Sequence, residues 1–301
     1  MISSFQQLFQ KLKERKRQRV VIAGGEDLEA LKAVKASHEY GIGEAVLVGK
    51  EEEIESTLKE LGYRDRSFIQ DIVSIKEEDE KGPSAVEEVK KGGILLKGRI
   101  KTAILLKAVL NKETGLRSEN HISNVFIFED QREGQSRLVL LSDGGINIKP
   151  DLQAMVSIIK NAVAVAHKLG IDKPKVALLA AIEDVNPDME ETLQAGIIAK
   201  MNQRGQISGC IIDGPLALDN AISEFAVQKK RIESPIAGQA DVLIVPDITC
   251  GNILGKSIIY YAGFPQGNVV VGARVPIMIP SRADKSEAKL NAIGLSILCS
   301  R

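Results

Sequence analysis

Residues 240–290 read ADVLIVPDITCGNILGKSIIYYAGFPQGNVVVGARVPIMIPSRADKSEAKL. The apolar run 242–245 suits a strand buried on both faces. A glycine-bearing turn follows, then a helix-like run over 252–262 that stops at Gly263, a residue type that commonly ends helices. Two further β-rich runs, 269–271 and 277–279, deliver the chain to Ser281-Arg282-Ala283-Asp284, ahead of a last helix. The first strand, turn and helix would aim backbone N–H groups at an anion. The second pair of strands leaves a hydroxyl, a guanidinium and carboxylates at a strand end, which is how an open α/β sheet builds a catalytic crevice.

Working outward, the pattern repeats. Residues 5–12 carry Phe5, Leu8, Phe9 and Leu12 at helical spacing, with a basic run over 13–19 that suits a solvated helix end. The stretch VVIAGGEDLEALKAVKASHEYGIGEAVLVG reads as strand, glycine turn, helix and second strand, but Gly24-Gly25 lacks the GxGxxG spacing of a dinucleotide loop. Charge-rich sequence over 50–91 reads as peripheral helices and loops. A buried strand over 94–96 is followed by a loop bearing Lys97, Arg99 and Lys101, and a helix containing Lys107. The runs 124–128 and 137–141, joined by a polar loop, form an antiparallel hairpin pattern, a break in the βα rhythm where a second domain would begin. Asp151 caps an amphipathic helix ending at Gly170. Beyond it lie a strand over 176–182, a helix near 189–201 and a strand over 210–212. The alternation predicts a mostly parallel α/β sheet with helices on both faces.

The totals exclude several classes. With 301 residues the chain can bury roughly 75% of its unfolded surface. Forty basic and forty acidic residues cancel, which argues against a nucleic-acid footprint. Cys210, Cys250 and Cys299 fit no metal or redox spacing and read as reduced thiols of a cytoplasmic protein. The opening residues lack the apolar core of a signal peptide, and no stretch suits a bilayer. The three histidines are scattered, so no metal site is expected.

Individual motifs have competing readings. Residues 251–257, GNILGKS, are one residue short of a GxxxxGK[ST] loop, with Cys250 where its first glycine belongs; the spacing rules out an ATP loop and leaves a helix N-terminus suited to a phosphate-like anion. Ser281 and Arg282 are either ordinary turn residues or an oxyanion donor beside a phosphate fork. Asp284 and Glu287, three apart before an apolar helix, complete a capping-box pattern, and either carboxylate has the chemistry of a general base.

The segments LLKGRIKTAILLKAVLN, SDGGINIKPDLQ, KVALLAAIEDVNP, DGPLALDNAIS, SPIAGQADVLIVPDITCGNILGKSIIYYAG and VVVGARVPIMIPSRADKSEAKLNAI carry a further signal. In this order they resemble the phosphate acetyltransferase and phosphate butyryltransferase family, and more closely its butyryl branch. The resemblance implies two α/β domains with the active-site cleft between them. Domain I would take residues 1–120 with 272–301, and domain II, holding the hairpin, 121–271. It implies reversible transfer of a short acyl group between coenzyme A and inorganic phosphate, both substrates, with no tightly bound cofactor, in a homodimer. By position, Ser281 matches the family serine proposed to stabilise the oxyanion and Arg282 the neighbouring arginine. Lys97, Thr102, Lys107, Gly251, Asn252 and Lys256 fall where substrate or coenzyme A would lie. One departure is explicit: the acetyl enzymes' proposed catalytic aspartate falls at Ala288, so either the base has moved to Asp284 or Glu287 or the butyryl branch manages without that aspartate. Alternatives are an acetyl-specific enzyme and a non-catalytic acyl-CoA-sensing domain.

Overall fold

A computed structural model describes residues 1–132, 134 and 136–300. In chain order the elements are α1 (Phe5–Leu12), β1 (Gln18–Ala23), α2 (Leu28–Glu39), β2 (Gly43–Gly49), α3 (Glu51–Glu60), β3 (Ile69–Ser74), α4 (Lys81–Lys90), β4 (Ile94–Lys97) and α5 (Thr102–Val109). Next come β5 (Ser123–Asp130), β6 (Arg137–Ser142), α6 (Leu152–Lys168), β7 (Lys175–Leu179), α7 (Glu190–Gln203), β8 (Ile211–Leu216), α8 (Leu218–Ile222), α9 (Glu224–Lys230), β9 (Val242–Ile244) and α10 (Ile248–Ser257). The chain closes with β10 (Gln266–Val271), β11 (Ile277–Met278) and α11 (Ser286–Cys299). The chain divides into two compact units. One holds Phe5–Asn120 with Gln266–Arg301, the other Met1–Ser4 with His121–Pro265.

In the first unit the strand order is β3-β2-β1-β4-β11-β10. All pairs are parallel except β10 with β11. The central strands are continuous apolar runs, as expected where helices cover both faces. Helix α11 packs on β10, α2 and α1, and Lys289 and Asn291–Leu298 are buried around its whole circumference. A β-carbon on Gly294 would lie 2.8 Å from the Phe9 ring, so glycine lets α1 approach. Because β1 sits between β2 and β4, the chain reverses its winding there, and the C-terminal ends of β1, β4 and β11 open onto one edge.

The charge-rich segment over 50–91 departs from its sequence reading. It contributes the edge strand β3, paired with β2, and buries Lys81 against Glu26. Charge density concealed the strand because only one neighbour covers it; its residues are mostly half-buried or exposed.

The second unit has the order β5-β6-β9-β7-β8, with β5 and β6 antiparallel as the hairpin pattern predicts and the remaining pairs parallel. Phe126, Phe128, Val139, Leu141, Ala177, Leu179, Leu243 and Val245 form its core. Strand β7 ends at Leu179 rather than at residue 182, and β8 continues through Gly214 and Pro215 to Leu216. No helix among the described residues is long and apolar enough to cross a membrane.

Candidate active site

At the switch-point edge of the first unit, the loops after β1 and β4 lie backbone to backbone. Gly24, at φ +85°, receives the Arg99 N–H at 3.0 Å on its carbonyl, and a β-carbon there would lie 2.5 Å from the Arg99 oxygen. Gly24 lets the two loops touch, and Gly25 lets the turn approach Leu47, whose Cβ would lie 2.8 Å from an added β-carbon, so close packing explains both glycines without a nucleotide.

That packing leaves Lys97, the last residue of β4, buried. Its ammonium has only the Gly98 carbonyl, at 3.4 Å, as a hydrogen-bond acceptor and no ion pair among the described residues. Burial pushes Lys97 below the ordinary lysine range; Arg282 pushes the same way, Asp27 opposes and Lys289 adds to the depression. Lys289 projects from α11 and donates to Asp27 Oδ1 at 2.6 Å, its side chain 3% exposed. Asp27 is also the N-cap of α2, accepting the Ala30 N–H at 2.8 Å. Three cations thus share one carboxylate, a surplus of positive charge fitted to a polyanion such as phosphate.

The turn after β11 brings Ser281 and Arg282 to the same group. Ser281 donates its N–H to Asp284 Oδ2 at 2.8 Å, and its carbonyl accepts the Asp284 N–H at 3.1 Å. The Ser281 hydroxyl accepts the Ala283 N–H at 3.4 Å, and its own proton has no acceptor among the described residues. Arg282 is exposed and makes no hydrogen bond or ion pair among those residues. A donor hydroxyl and an uncommitted guanidinium therefore stand on adjacent residues.

The capping-box reading of Asp284 and Glu287 is corrected here. Helix α11 begins at Ser286 with Lys285 at the N-cap, and Asp284 instead closes the turn around Ser281. The first-turn N–H of Ser286 goes to Glu29 Oε2 at 2.7 Å, from α2. Lys32 and that N–H hold Glu29 below the usual carboxylate range. A carboxylate from 257 positions away displaced the local cap, a substitution no local pattern announces. Glu287 lies exposed on the first turn of α11. On α5, Thr102 and Lys107 are both exposed, at the first and last turns, and make no side-chain hydrogen bond or ion pair among the described residues.

The second unit gathers a different set. Helix α10 begins at Ile248, four residues before the predicted start, because Asp247 caps it by accepting the Cys250 N–H at 2.8 Å. One of its first-turn N–H groups is thereby satisfied by the chain's own carboxylate. Burial and the Asp247 carboxylate also push the Cys250 thiol up, away from thiolate chemistry. Gly251 serves close packing: its β-carbon would lie 2.6 Å from Gly144 Cα. Asn252, exposed, donates to the Gly144 carbonyl at 3.4 Å, while Lys256 is exposed at the far end of the helix.

The turn that Gly251 packs against is built on Asp143, 3% exposed. Its carboxylate accepts the N–H groups of Gly145 (2.8 Å), Ile146 (3.0 Å) and Asn124 (3.1 Å), and the Asn147 amide at 2.6 Å. Removing it leaves buried donors without an acceptor, at about 1–3 kcal/mol for each group that water cannot reach. Asp143→Ala is therefore expected to lose about 3 kcal/mol or more in urea unfolding, with Asp143→Asn intermediate. Sequence reading missed Asp27, Lys289 and Asp143. Asp27 and Lys289 lie 262 positions apart, and the one available signal was a lysine on the buried α11 stripe with Ala292, Ile293 and Ser296.

The model of the phosphate acetyl/butaryl transferase family matches residues 3–94 and 81–297. The phosphate butyryltransferase of Clostridium acetobutylicum is 39% identical over 300 residues, covering 99% of this chain and 98% of that protein. The phosphate acetyltransferase of Thermotoga maritima is 42% identical over 283 residues, covering 93% and 95%. Among solved structures, a branched-chain phosphotransacylase from Enterococcus faecalis superposes with a TM-score of 0.83 at 32% identity, covering 94% of this chain and all of that one. The α/β fold and these full-length matches define a phosphotransacylase-like protein. The chain belongs to the phosphate acetyl/butaryl transferase family, and it is an acyltransferase.

Proposed function

We propose that the protein moves a short acyl group, butyryl by preference, between coenzyme A and inorganic phosphate. The carrying observation is the pairing of Ser281 and Arg282 beside Lys97 and the Asp27-held Lys289, at the C-terminal ends of β4 and β11. A thiol of the coenzyme A type has a pKa near ~8.5 and is largely protonated at neutral pH, so a base assists it. Its sulfur attacks the acyl phosphate carbonyl carbon, the carbonyl oxygen gains charge, and the C–O bond to phosphate breaks as phosphate departs. The Ser281 hydroxyl donates to that developing oxyanion, and Arg282 with the lysines neutralises the departing phosphate. Asp284 orders the turn through the Ser281 N–H, and Asp284 or Glu287 takes the thiol proton. Thr102, Lys107, Gly251, Asn252 and Lys256 are assigned to substrate or coenzyme A binding. No tightly bound cofactor is needed for this chemistry. A cytoplasmic homodimer is part of the same reading.

The deciding assay mixes acyl-CoA, inorganic phosphate and a thiol reagent. Phosphate-dependent release of free coenzyme A is expected, with kcat/KM for butyryl-CoA above that for acetyl-CoA. Absence of release across short acyl chains defeats the proposal. The reverse preference makes the protein an acetyl enzyme, and acyl-CoA binding without turnover makes it a sensor. In parallel, whichever of Asp284→Asn and Glu287→Gln abolishes the acidic limb of the pH–rate profile identifies the base.

A further inference from the structure

The three cations at the first unit's switch-point edge are not equivalent, and their differences bear on how phosphate is held. Lys289 already has a counter-charge, Asp27, at 2.6 Å. Arg282 is exposed, so water solvates it, and a guanidinium stays charged at any physiological pH. Lys97 has neither compensation: it is 4% exposed, has no ion pair among the described residues, and its one hydrogen-bond acceptor is a backbone carbonyl at 3.4 Å. The charged groups that act on it are Arg282 from the turn after β11, Asp27 from the cap of α2 and Lys289 from α11. Asp27 is shared with Lys289, so the net charge facing Lys97 is positive. A buried amine in that field releases its proton most readily when the pocket holds no anion.

We propose that phosphate binding and protonation of Lys97 are a single linked event, in which an arriving dianion draws one proton from solvent onto Lys97 Nζ and becomes that cation's missing partner. The proposal rests on the phosphate site assigned above. The step balances simply. The neutral amine takes a proton from the buffer, the ammonium and the dianion form a charge-assisted hydrogen bond, and phosphate release returns the proton. Lys289 and Asp27 act as positioning residues, because their ion pair keeps one cation fixed in the pocket while leaving Lys97 without a carboxylate of its own. The depressed affinity of Lys97 for its proton agrees with this arrangement, since burial is its first cause and Arg282 its second.

Linkage sets the sign. Below the empty-pocket pKa of Lys97 the amine is already charged and phosphate binds without proton uptake. Above it each bound phosphate takes up close to one proton, and affinity falls by up to tenfold per pH unit until the bound-state pKa is passed. The window lies below the ordinary lysine value of about 10.4.

The test is isothermal titration of inorganic phosphate into the full-length protein from about pH 7 to about pH 10, in paired buffers of different ionisation enthalpy. Wild type is expected to show uptake rising from near zero towards one proton per site as affinity declines. Lys97→Arg, whose charge is permanent, is expected to bind phosphate with no uptake and a flat affinity across the window. Lys97→Met is expected to bind at least tenfold more weakly at neutral pH, with unchanged far-UV circular dichroism confirming its fold. Two results overturn the proposal: wild type binding phosphate with no proton uptake at any pH, or uptake persisting in Lys97→Arg. Arg282→Ala separates this failure from failure of the site itself. If it binds phosphate as wild type does, the phosphate site is misplaced. If it loses phosphate while wild type shows no uptake, only the proton linkage falls.

Discussion

Replacing Ser281 with alanine is expected to lower turnover by roughly 10²–10³-fold while leaving the fold intact, the range typical for loss of one oxyanion donor. The expectation follows from what the serine does in the turn. Its backbone N–H and carbonyl, not its hydroxyl, are tied to Asp284, so truncating the side chain removes only a 3.4 Å contact with the Ala283 N–H. The hydroxyl proton has no acceptor among the described residues, which leaves it free to donate to an oxygen that gains charge in the transition state. Steady-state kinetics should therefore show a large fall in kcat with little change in KM for either substrate. A variant with wild-type kcat removes the oxyanion role. Equal proportional rises in both KM values, with kcat preserved, reassign Ser281 to ground-state binding.

The largest effect on stability is expected from Lys81→Met. Glu26 follows the Gly24-Gly25 turn with a side chain 0% exposed, and Lys81, 2% exposed, is its cationic partner. Lys81 also donates to the Arg99 carbonyl at 3.2 Å and pairs with Glu78 at 2.7 Å, so it joins the segment before α4 to both loops that shape the site edge. Lys81 meets Glu26 at Oε1, and Oε2 has no hydrogen-bond partner among the described residues. Stripping the lysine leaves a buried carboxylate uncompensated, a change that costs about 3–5 kcal/mol. At about 2–4 °C per kcal/mol for units of this size, the Tm is expected to fall by roughly 10 °C. Glu26→Gln combined with Lys81→Met should recover much of the loss, because neutral groups of similar volume can replace a buried pair with little penalty. If Lys81→Met alone unfolds at the wild-type denaturant concentration, the pair is not a structural tie. The placement suggests a division of labour at this edge: Glu26–Lys81 holds the loops, while Asp27–Lys289, one residue later, holds the cation pocket.

Patterning made the α/β class legible from the chain alone. The buried strands over 94–96 and 242–245 are unbroken apolar runs, the hairpin over 124–141 breaks the βα alternation, and Asp151 announces the start of α6 by its side-chain chemistry. These signals survive because they are local: strand burial, capping and turn formation are settled within a few residues. Ser281, Arg282 and Lys97 were also readable, as polar residues stationed at the ends of apolar strands. Local logic failed wherever a distant group offered a better partner. Asp284 and Glu287 had capping-box spacing, yet Glu29 took the cap of α11. Lys81 stood in a charge-rich stretch that reads as surface, and its burial is compensated by Glu26, 55 positions earlier, together with Glu78 and the Arg99 carbonyl.

By itself, then, the order of residues determined which segments become strands and helices, and which hydroxyl and guanidinium stand at a strand end. Tertiary structure alone decided the electrostatics: that Lys289 is neutralised by Asp27, that Lys97 is buried with no carboxylate of its own among the described residues, and that the first turn of α11 is capped by Glu29 from α2. The reason is physical. Hydrophobic periodicity acts over neighbouring turns, whereas the energy of a buried charge depends on every group within several ångströms, wherever in the chain those groups originate.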